Sequence, residues 1–415
     1  MRILVCGAGG FLGRAICTAL NAEGHQVVRG VRRPATADDI AIDFRQDTSV
    51  DTWLPRLDGI DAVVNAVGIL RERQAGDFDA IHHRAPAALF AACAQRGIDK
   101  VVQISALGAA RGGTAYLDSK ARADAALLAQ PGGGVVLRPA LIYGEHGTSA
   151  RFFRTLASLP VHAVPAGCRV QPVHVDDLLD VIIRIFRSAR PHPVIVDLPG
   201  PRPLSFAELL ASYRKALGLA PAMRIRIPGL CFSLASGVAE RFPGSLLTRD
   251  TWAMLRAGNC GDPAPATALL GRPLRDPADF VPATRSPALR QAALATWRRP
   301  MLQGVLALIW LVTAWVSLAV WPWADSLAML ALFGLSGALG VSALIGASVL
   351  DLAMAVLTVV RPGRRLWQAQ LLLIGAYSAL IAWQLPEFLH HPFGPILKNL
   401  AVAAILVQLW AEETS

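Results

Sequence analysis

The six cysteines of this 415-residue chain never occur as a C-x-x-C pair. This absence excludes the common zinc-site and thioredoxin-type spacings, and we expect isolated, buried thiols in a reducing compartment. The chain also has no internal repeat. No apolar leader precedes the first strand, because residues 1–13 already form a glycine motif, so we expect no signal peptide.

Charged side chains are scarce after Met301, where four basic and five acidic residues remain. The whole chain has a formal net charge of +10, and 53% of its residues are hydrophobic. The basic excess therefore lies before Met301, beside an apolar tail, and this arrangement favours an anionic membrane surface. The arginines are scattered and no nucleic-acid motif accompanies them, so we expect no nucleic-acid partner.

The start of the chain has the pattern of a dinucleotide-binding turn. An apolar run from Ile3 to Cys6 predicts a buried parallel strand, glycines follow it, and a helical pattern begins at Phe11. In this context the glycines permit a tight turn, a close approach to a pyrophosphate and close packing of helix on strand. The free N–H groups and the helix dipole attract the phosphates. The predicted cofactor-binding residues here are Gly7, Gly9, Gly10, Phe11, Leu12 and Gly13.

Two arginines, Arg32 and Arg33, follow the second predicted strand, Gln26 to Val31. Sites for NAD commonly place an acidic residue near this position, whereas a basic residue suits the 2′-phosphate of NADP. The pair therefore favours NADP(H) over NAD(H). Asp43 and Phe44, which end a short third strand, are predicted to lie at the edge of the adenine ring.

The fourth and fifth predicted strands end at the edge where open parallel sheets bind ligands. Ala66, Val67 and Gly68 end the fourth strand and are predicted to contact the cofactor. The fifth strand ends on Ser105, whose hydroxyl is predicted to orient a substrate carbonyl beside the nicotinamide.

Tyr116 and Lys120 are four residues apart and so lie on one face of the helix that follows. A free tyrosine, with a pKa of about 10, is a poor acid–base group at neutral pH. A nearby ammonium favours the phenolate and lowers that pKa. Tyr116 is therefore predicted to give or take the proton that accompanies hydride transfer.

These motifs together resemble the short-chain dehydrogenase/reductase superfamily. The segments Leu137–Gly144 and Gln171–Leu178 are similar to its extended or atypical branch, and Ile104–Ala109 with Ala115–Lys120 resemble the group that contains the nucleotide-binding accessory subunit of respiratory complex I. The resemblance covers residues 1–285. It implies that Tyr116 is the acid/base, that Lys120 binds the nicotinamide ribose and that Ser105 orients the substrate. It also implies that Pro139 to Ile142 line the nicotinamide pocket.

Residues 145–285 are predicted to form a small α/β substrate lobe on a Rossmann-type, doubly wound parallel sheet. Within it, the apolar helix Pro228 to Phe242 is expected to pack into the lobe's core, with a lid or a bilayer-resting surface as the alternative. The adjacent His82 and His83 are expected to be ordinary surface or packing residues. His174 with Asp176 and Asp177 is expected to anchor a loop and cap a helix, and we expect no metal site.

After a linker over residues 286–300, residues 301–415 are predicted to form a four-helix transmembrane bundle. The tail resembles the DoxX-like family in length, order and hydropathy. Basic flanks at Arg298/Arg299 and at Arg361, Arg364 and Arg365 favour a cytoplasmic position for both, so residues 326–340 are expected at the outer face. Asp351 lies mid-span, as either a functional or a structural group. The predicted spans are Met301–Trp321, Val341–Val360, Leu366–Leu385 and Pro395–Trp410.

The sequence therefore predicts a multi-pass protein of a bacterial inner membrane with its nucleotide domain in the cytoplasm. The leading hypothesis is an NADP(H)-dependent oxidoreductase for a lipophilic carbonyl or alcohol, such as a quinone-like or isoprenoid substrate. The alternative is a non-catalytic NADP(H)-binding sensor or assembly factor, held by its tail to a respiratory-chain protein. A third hypothesis is a sugar-nucleotide epimerase. Such enzymes usually retain NAD, whereas Arg32 and Arg33 favour NADP(H), so the arginine pair argues against this hypothesis.

Overall fold

The computed structural model describes residues 1–36, 38–188, 195–242, 244–390 and 395–413. The backbone forms two compact units, Met1–Ala293 and Leu294–Ser415. Buried apolar side chains form three clusters in the first unit and one in the second. Each unit therefore has a core of its own.

Seven parallel strands form the main sheet of the first unit, in the order β3-β2-β1-β4-β5-β6-β11. The order reverses between β1 and β4, and this switch point is where doubly wound sheets bind ligands. The strands are β1 Arg2–Cys6, β2 Gln26–Val31, β3 Asp39–Ala41, β4 Ala62–Asn65, β5 Lys100–Ile104, β6 Val135–Pro139, β7 Ile142–Tyr143, β8 Val161–Pro165, β9 Arg169–Val170, β10 Val173–His174, β11 Ile195–Leu198, β12 Leu204–Ser205 and β13 Met223–Ile227.

The helices cover both faces of this sheet and make up most of the second unit. A π-helical turn, Ala80–Arg84, joins α3 to α4, so one helical segment follows β4. The α-helices are α1 Phe11–Ala22, α2 Val50–Trp53, α3 Asp77–Asp79, α4 Ala85–Gln95, α5 Ala115–Leu128, α6 Thr148–Ser158, α7 Val175–Arg187, α8 Phe206–Ala216, α9 Gly229–Ala239, α10 Arg249–Ala257, α11 Ala264–Leu270, α12 Ser286–Trp315, α13 Trp323–Leu332, α14 Gly337–Val360, α15 Arg364–Gln384 and α16 Pro395–Glu412.

The sequence prediction of a parallel Rossmann-type sheet with a small α/β lobe is confirmed. The second strand has the predicted bounds, and β3 begins and ends earlier than predicted. The substrate half is also predicted to contain a strand from Val194 to Leu198; Val194 lies outside the described residues, and β11 begins at Ile195. Residues 286–300, predicted to be a linker, lie within α12, which contains Pro300. We attribute this continuity to the alanine- and leucine-rich composition on both sides of that proline.

The lobe beside the sheet packs around stacked aromatic rings. Tyr143 lies 4.8 Å from Phe280 and 5.5 Å from Tyr213, measured between ring centroids, and both pairs are stacked. The His174 side chain caps α7 by accepting the backbone N–H of Asp176 at 3.2 Å. This confirms the predicted capping role of His174.

The expectation that the apolar helix α9 packs into the lobe's core is wrong. Ser236 is its one fully buried residue, whereas Leu230 and Leu234 are exposed. The sequence pattern misled because a mostly apolar helix of this length usually belongs to a core. Here its leucines point to solvent at helical spacing.

Three helical segments among the described residues are long and apolar enough to cross a membrane: Ser286–Val320, Gly337–Val360 and Arg364–Gln384. The buried cluster of the second unit consists of Leu306, Trp367, Leu406 and Leu409. The fourth predicted span is the 18-residue helix α16, and a four-helix transmembrane bundle stays a prediction. Asp351 is buried on α14 with only 4% of its surface exposed.

Candidate functional site

The first glycine turn has the close packing that its sequence predicts. Gly7 has φ +83°, a conformation that favours glycine, and a Cβ on Gly13 would lie 2.1 Å from the Gly7 carbonyl oxygen. Helix α1 therefore sits against the end of β1 at a distance that only a glycine permits. The predicted packing role of Gly13 is confirmed by this contact.

Gly9 and Gly10 are exposed and face open space or backbone. The nearest atom to a Cβ on Gly9 would be 4.0 Å away, and Gly10 precedes α1 without any side-chain cap. The first N–H groups of α1 have no intrahelical acceptor, because the helix begins there. An anion at this turn would meet free donors and the positive end of the helix dipole.

Phe11 packs across the turn onto a second loop. A Cβ on Gly144 would lie 2.3 Å from the Phe11 ring, and Gly147 also lies beside that ring. The start of α1 is therefore fixed against the loop after β7, which gives Phe11 a positioning role. Leu12 packs against the sheet core. These contacts leave the predicted cofactor contacts of both residues untested.

Arg32 and Arg33 are exposed directly after β2. Their neighbour Arg29 pairs with Asp39 across β2 and β3 at 3.6 Å. The Phe44 ring is buried against Trp53, with centroids 5.5 Å apart, and the Asp43 carboxylate accepts the N–H of Arg45 at 3.1 Å. Phe44 thus has a core role, and its contact with an adenine stays a prediction together with that of Asp43.

A buried pair of side-chain amides, Asn65 and Gln103, lies at the carboxyl end of β4. Asn65 donates to the Gln103 side chain at 2.7 Å and accepts the N–H of Val67 at 3.1 Å. This pair shapes the turn through Ala66, and Gly68 is exposed beyond it. A Cβ on Gly7 would touch Ala66 and Val67. The β1 and β4 ends therefore meet at the switch point.

Lys120 is buried at this edge of the sheet. Its ammonium donates to the Val67 carbonyl at 3.3 Å and to the Ile104 carbonyl at 3.1 Å. Burial lowers the pKa of Lys120 to about 8, with Asp124 opposing the shift. The ammonium is therefore still mostly protonated at pH 7, and it bridges the ends of β4 and β5 beside Gly68.

Tyr116 lies one turn before Lys120 on α5 and is half-buried. Its ring meets His82 edge-on at 5.4 Å and Phe78 at 6.0 Å, measured between centroids. Burial raises the pKa of Tyr116 to about 12, and Asp124 raises it further. The sequence predicts that the Lys120 ammonium lowers this pKa, whereas in the structure burial of the phenol raises it. The phenol stays protonated at neutral pH.

The Ser105 hydroxyl is buried and takes part in a hydrogen-bond network within the protein. Its hydroxyl donates to Asp124 at 2.9 Å, and Asp124 also accepts from Arg138 at 2.9 Å. All three side chains are buried or nearly so. In this arrangement the Ser105 hydroxyl donates its hydrogen bond to a carboxylate, and its role toward a substrate carbonyl stays a prediction.

The sequence predicts only an ordinary surface or packing role for His82, whereas in the structure both of its ring nitrogens have hydrogen-bond partners. It is fully buried, it accepts the N–H of Ile69 at its Nε2, and its Nδ1 lies 2.9 Å from the Ser119 hydroxyl. Because Nε2 accepts, the proton of the neutral ring sits on Nδ1. Burial, with Lys120 as a further cause, lowers the pKa of His82 to about 2. His82 therefore holds the loop after Gly68 to the helix that carries Tyr116.

The predicted nicotinamide-pocket residues lie around the end of β6. Pro139 ends that strand and is buried, and Ile142 begins β7. Asn259, which the sequence did not single out, accepts the N–H of Leu141 at 2.8 Å and donates to the Leu107 carbonyl at 3.2 Å. It ties the ends of β5 and β6 together. Among the described residues no cluster of three metal-ligating side chains occurs.

Two family models match the chain, one in each unit. The model of the NAD dependent epimerase/dehydratase family matches residues 3–197, and the model of the DoxX-like family matches residues 307–407. An uncharacterized chloroplastic protein of Arabidopsis thaliana is 30% identical over 217 residues, which are 45% of this chain and 72% of the relative. An uncharacterized protein of Mycobacterium tuberculosis is 31% identical over 221 residues, and the match spans 23% of that relative. The chain therefore spans about a quarter of the mycobacterial protein's length.

Solved structures share the fold of the first unit at low sequence identity. The human epimerase family protein SDR39U1 with NADPH matches with a TM-score of 0.54 and 20% identity, over 71% of this chain and 99% of that one. The UDP-glucuronic acid 4-epimerase of Bacillus cereus, in complex with UDP-glucuronic acid and NAD, matches with a TM-score of 0.53 and 17% identity. That match covers 70% of this chain and 99% of the epimerase. At these identities the likeness shows the fold alone.

Proposed function

Because the chain belongs to the NAD dependent epimerase/dehydratase family over residues 3–197 and to the DoxX-like family over residues 307–407, we propose that it is a membrane-held, NADP(H)-dependent reductase of a lipophilic carbonyl. The observation that carries this proposal is that Tyr116 and Lys120 lie one turn apart on α5, with the Lys120 ammonium bridging the ends of β4 and β5. No other described side chain accepts or donates at the Tyr116 hydroxyl. The group is therefore free to serve a substrate.

The residues around the glycine turn fit a dinucleotide. The Cβ-free space at Gly9, the close contact of Gly13 with Gly7 and the uncapped start of α1 make a cradle for a pyrophosphate. Arg32 and Arg33, exposed after β2, would hold the 2′-phosphate of NADP(H). SDR39U1 carries NADPH, whereas the Bacillus cereus epimerase carries NAD. The arginine pair supports the phosphorylated form here.

When bound, the reduced nicotinamide supplies a hydride to the carbonyl carbon of the substrate. Tyr116 then gives its phenolic proton to the carbonyl oxygen, so that a C–H and an O–H bond form while the C=O bond becomes single. Tyr116 enters this step as a protonated acid, because its pKa lies above neutral pH. Lys120 stabilises the phenolate that results, and Tyr116 recovers its proton from solvent after product release.

The second unit supports the choice of substrate class. Three long apolar helices and the match to the DoxX-like family indicate a membrane protein, and we infer a lipophilic substrate, quinone-like or isoprenoid, that partitions into the bilayer. We place the protein in a bacterial inner membrane with its nucleotide unit in the cytoplasm. The basic flanks at Arg298/Arg299 and Arg361–Arg365 support this orientation.

One observation favours a second candidate, a non-catalytic NADP(H)-binding sensor or assembly factor of a respiratory membrane complex. The Ser105 hydroxyl donates its hydrogen bond to the Asp124 carboxylate. A chain of this kind would hold the nucleotide tightly without turning over a substrate, and it would purify together with respiratory subunits.

The test uses the full chain in detergent or nanodiscs. NADPH oxidation is measured with a long-chain benzoquinone and with an isoprenoid aldehyde, beside NADPH affinity by equilibrium binding. We expect Tyr116→Phe to lower kcat/KM by roughly 10²- to 10⁴-fold and to leave NADPH affinity within twofold. Turnover that survives this substitution removes Tyr116 from the chemistry. Tight binding without oxidation of either compound supports the sensor instead.

A further inference from the structure

Helix α9 presents an apolar stripe to solvent. Leu230, Leu234 and Val238 recur every four residues, and Phe242 continues the spacing just beyond the helix. Their exposed fractions are 71%, 65%, 55% and 64%, respectively. Three large apolar side chains on one helical face, with a fourth just beyond the helix, exceed the scattered surface apolar residues of a soluble protein. We therefore infer that an apolar partner covers this stripe.

Basic side chains flank this stripe. Arg224 and Arg226 are exposed on β13 directly before α9, Arg241 is exposed two residues after its end, and Arg249 is exposed at the start of α10. Glu240 is the one acidic residue between Met223 and Arg249, and it lies 3.8 Å from Arg249. The local charge is therefore positive around an apolar face. This combination is typical of helices that lie in the interface of an anionic bilayer.

The length of α9 fits that position. Its 11 residues extend about 16 Å at 1.5 Å per residue, which is too short to cross a hydrocarbon core of about 30 Å. The same chain carries helices that are long enough to cross. This step rests on the membrane location of the proposed function: in a chain held in a bilayer, docking of α9 needs no recruitment from solution.

We propose that α9 docks into the surface of an anionic phospholipid bilayer, with its leucine stripe among the acyl chains and the flanking arginines at the headgroups. This surface is connected to the candidate site. Arg71, three residues after Gly68, donates to the Phe242 carbonyl at 2.9 Å and to the Glu240 carbonyl. Arg71 therefore links the segment that follows α9 to the loop after Gly68, which lies beside Lys120.

A second chain of contacts leads from α9 to Tyr116. The rings of Phe232 on α9 and Trp252 on α10 stack with centroids 5.1 Å apart, and Asp250 at the start of α10 accepts the backbone N–H of Tyr116. A docked α9 would accordingly set the membrane surface beside the helix that carries the acid/base residue.

The test places a fluorescent label on the stripe of the full chain. An environment-sensitive dye is attached to Leu234→Cys, in a background with Cys231→Ser and Cys260→Ser, after reconstitution into nanodiscs of phosphatidylcholine and phosphatidylglycerol in equal amounts. The matched control carries the dye at Lys215→Cys, an exposed polar position on α8. Thermal unfolding of each variant checks that the first unit is intact.

We expect the dye at Leu234→Cys to be quenched by doxyl-labelled lipid and protected from iodide, and the dye at Lys215→Cys to show the reverse. Replacing Arg224 and Arg226 by Gln should lower the ratio of docked to undocked helix by roughly tenfold or more. Iodide quenching equal to that of the control overturns the proposal. Protection from both quenchers also overturns it, because another protein surface then covers the stripe.

Discussion

The Ser105 hydroxyl donates a hydrogen bond of 2.9 Å to Asp124, which lies one helical turn beyond Lys120. Tyr116, Lys120 and Asp124 thus lie at four-residue intervals along α5, so a neutral acid, a cation and an anion follow one another on one face. Arg138 closes the network from β6 at 2.9 Å. Ser105 therefore contacts Asp124, the buried residue at one end of this row, whereas Tyr116 at the other end is partly exposed.

This arrangement predicts that Ser105→Ala and Tyr116→Phe behave differently. Removing the Ser105 hydroxyl deletes one hydrogen bond to a buried carboxylate, so we expect a loss of about 1–3 kcal/mol in unfolding free energy. The kcat of the full chain should fall less than tenfold. Thermal unfolding in detergent and steady-state NADPH oxidation measure the two effects. A loss of kcat as large as that of Tyr116→Phe would return Ser105 to the substrate-orienting role that its motif predicts.

The glycine turn gives a second prediction, which separates folding from binding. Gly13→Ala places a Cβ 2.1 Å from the Gly7 carbonyl oxygen, and the backbone must move to accept it. We expect a destabilisation of about 3 kcal/mol, the upper end for overpacking, seen as a lower midpoint of thermal unfolding.

The matched control for that substitution is Gly9→Ala, whose Cβ has no neighbour closer than 4.0 Å. Its unfolding should stay within about 0.5 kcal/mol of the parent chain, while NADPH affinity falls because the Cβ occupies the phosphate's approach. Equal stability of the two variants would mean that α1 does not need the close contact at Gly13. An unchanged affinity in Gly9→Ala would remove Gly9 from the phosphate cradle.

A third prediction concerns the choice of coenzyme. Arg32→Ala together with Arg33→Ala should lower NADPH affinity by roughly 10- to 100-fold, which is what one or two charge-assisted hydrogen bonds to a phosphate supply. NADH affinity should change by less than twofold. Arg29→Ala is the control, because Arg29 lies on β2 just before the pair and instead pairs with Asp39. A parallel fall in both affinities would show that the pair does not read the 2′-phosphate.

The sheet of the first unit could be predicted from sequence because its signals are local. Apolar runs such as Ile3 to Cys6 are bounded by glycines, and capping residues such as Ser205, with Glu208 in a capping box, mark helix starts within a few residues. These signals do not depend on what packs against the element. The bounds of the strands and helices therefore lie close to those expected.

The buried polar network could not be predicted, because it depends on contacts between distant parts of the chain. His82 looks like one of two adjacent histidines, and its bonds to Ile69 and Ser119 appear only once three segments meet. Asp124 did carry a signal, since it continues the four-residue spacing of Tyr116 and Lys120. The exposure of α9 had no signal in hydropathy, which is the same for a core helix and an interfacial one.

The pH dependence of folding provides the last prediction, and it depends on His82. Its pKa is lowered to about 2 in the folded chain by burial and by Lys120, and is about 6.5 in an unfolded chain. Between these values the unfolded state binds the extra proton, so stability falls as the pH falls below 6.5. At pH 5 this linkage costs about 2 kcal/mol. We expect His82→Gln to reduce the drop in unfolding temperature between pH 7 and pH 5, because the variant lacks the buried group that gains a proton on unfolding. If His82→Gln keeps the full drop, His82 gains its proton without unfolding, and the loop after Gly68 is not held by the neutral ring.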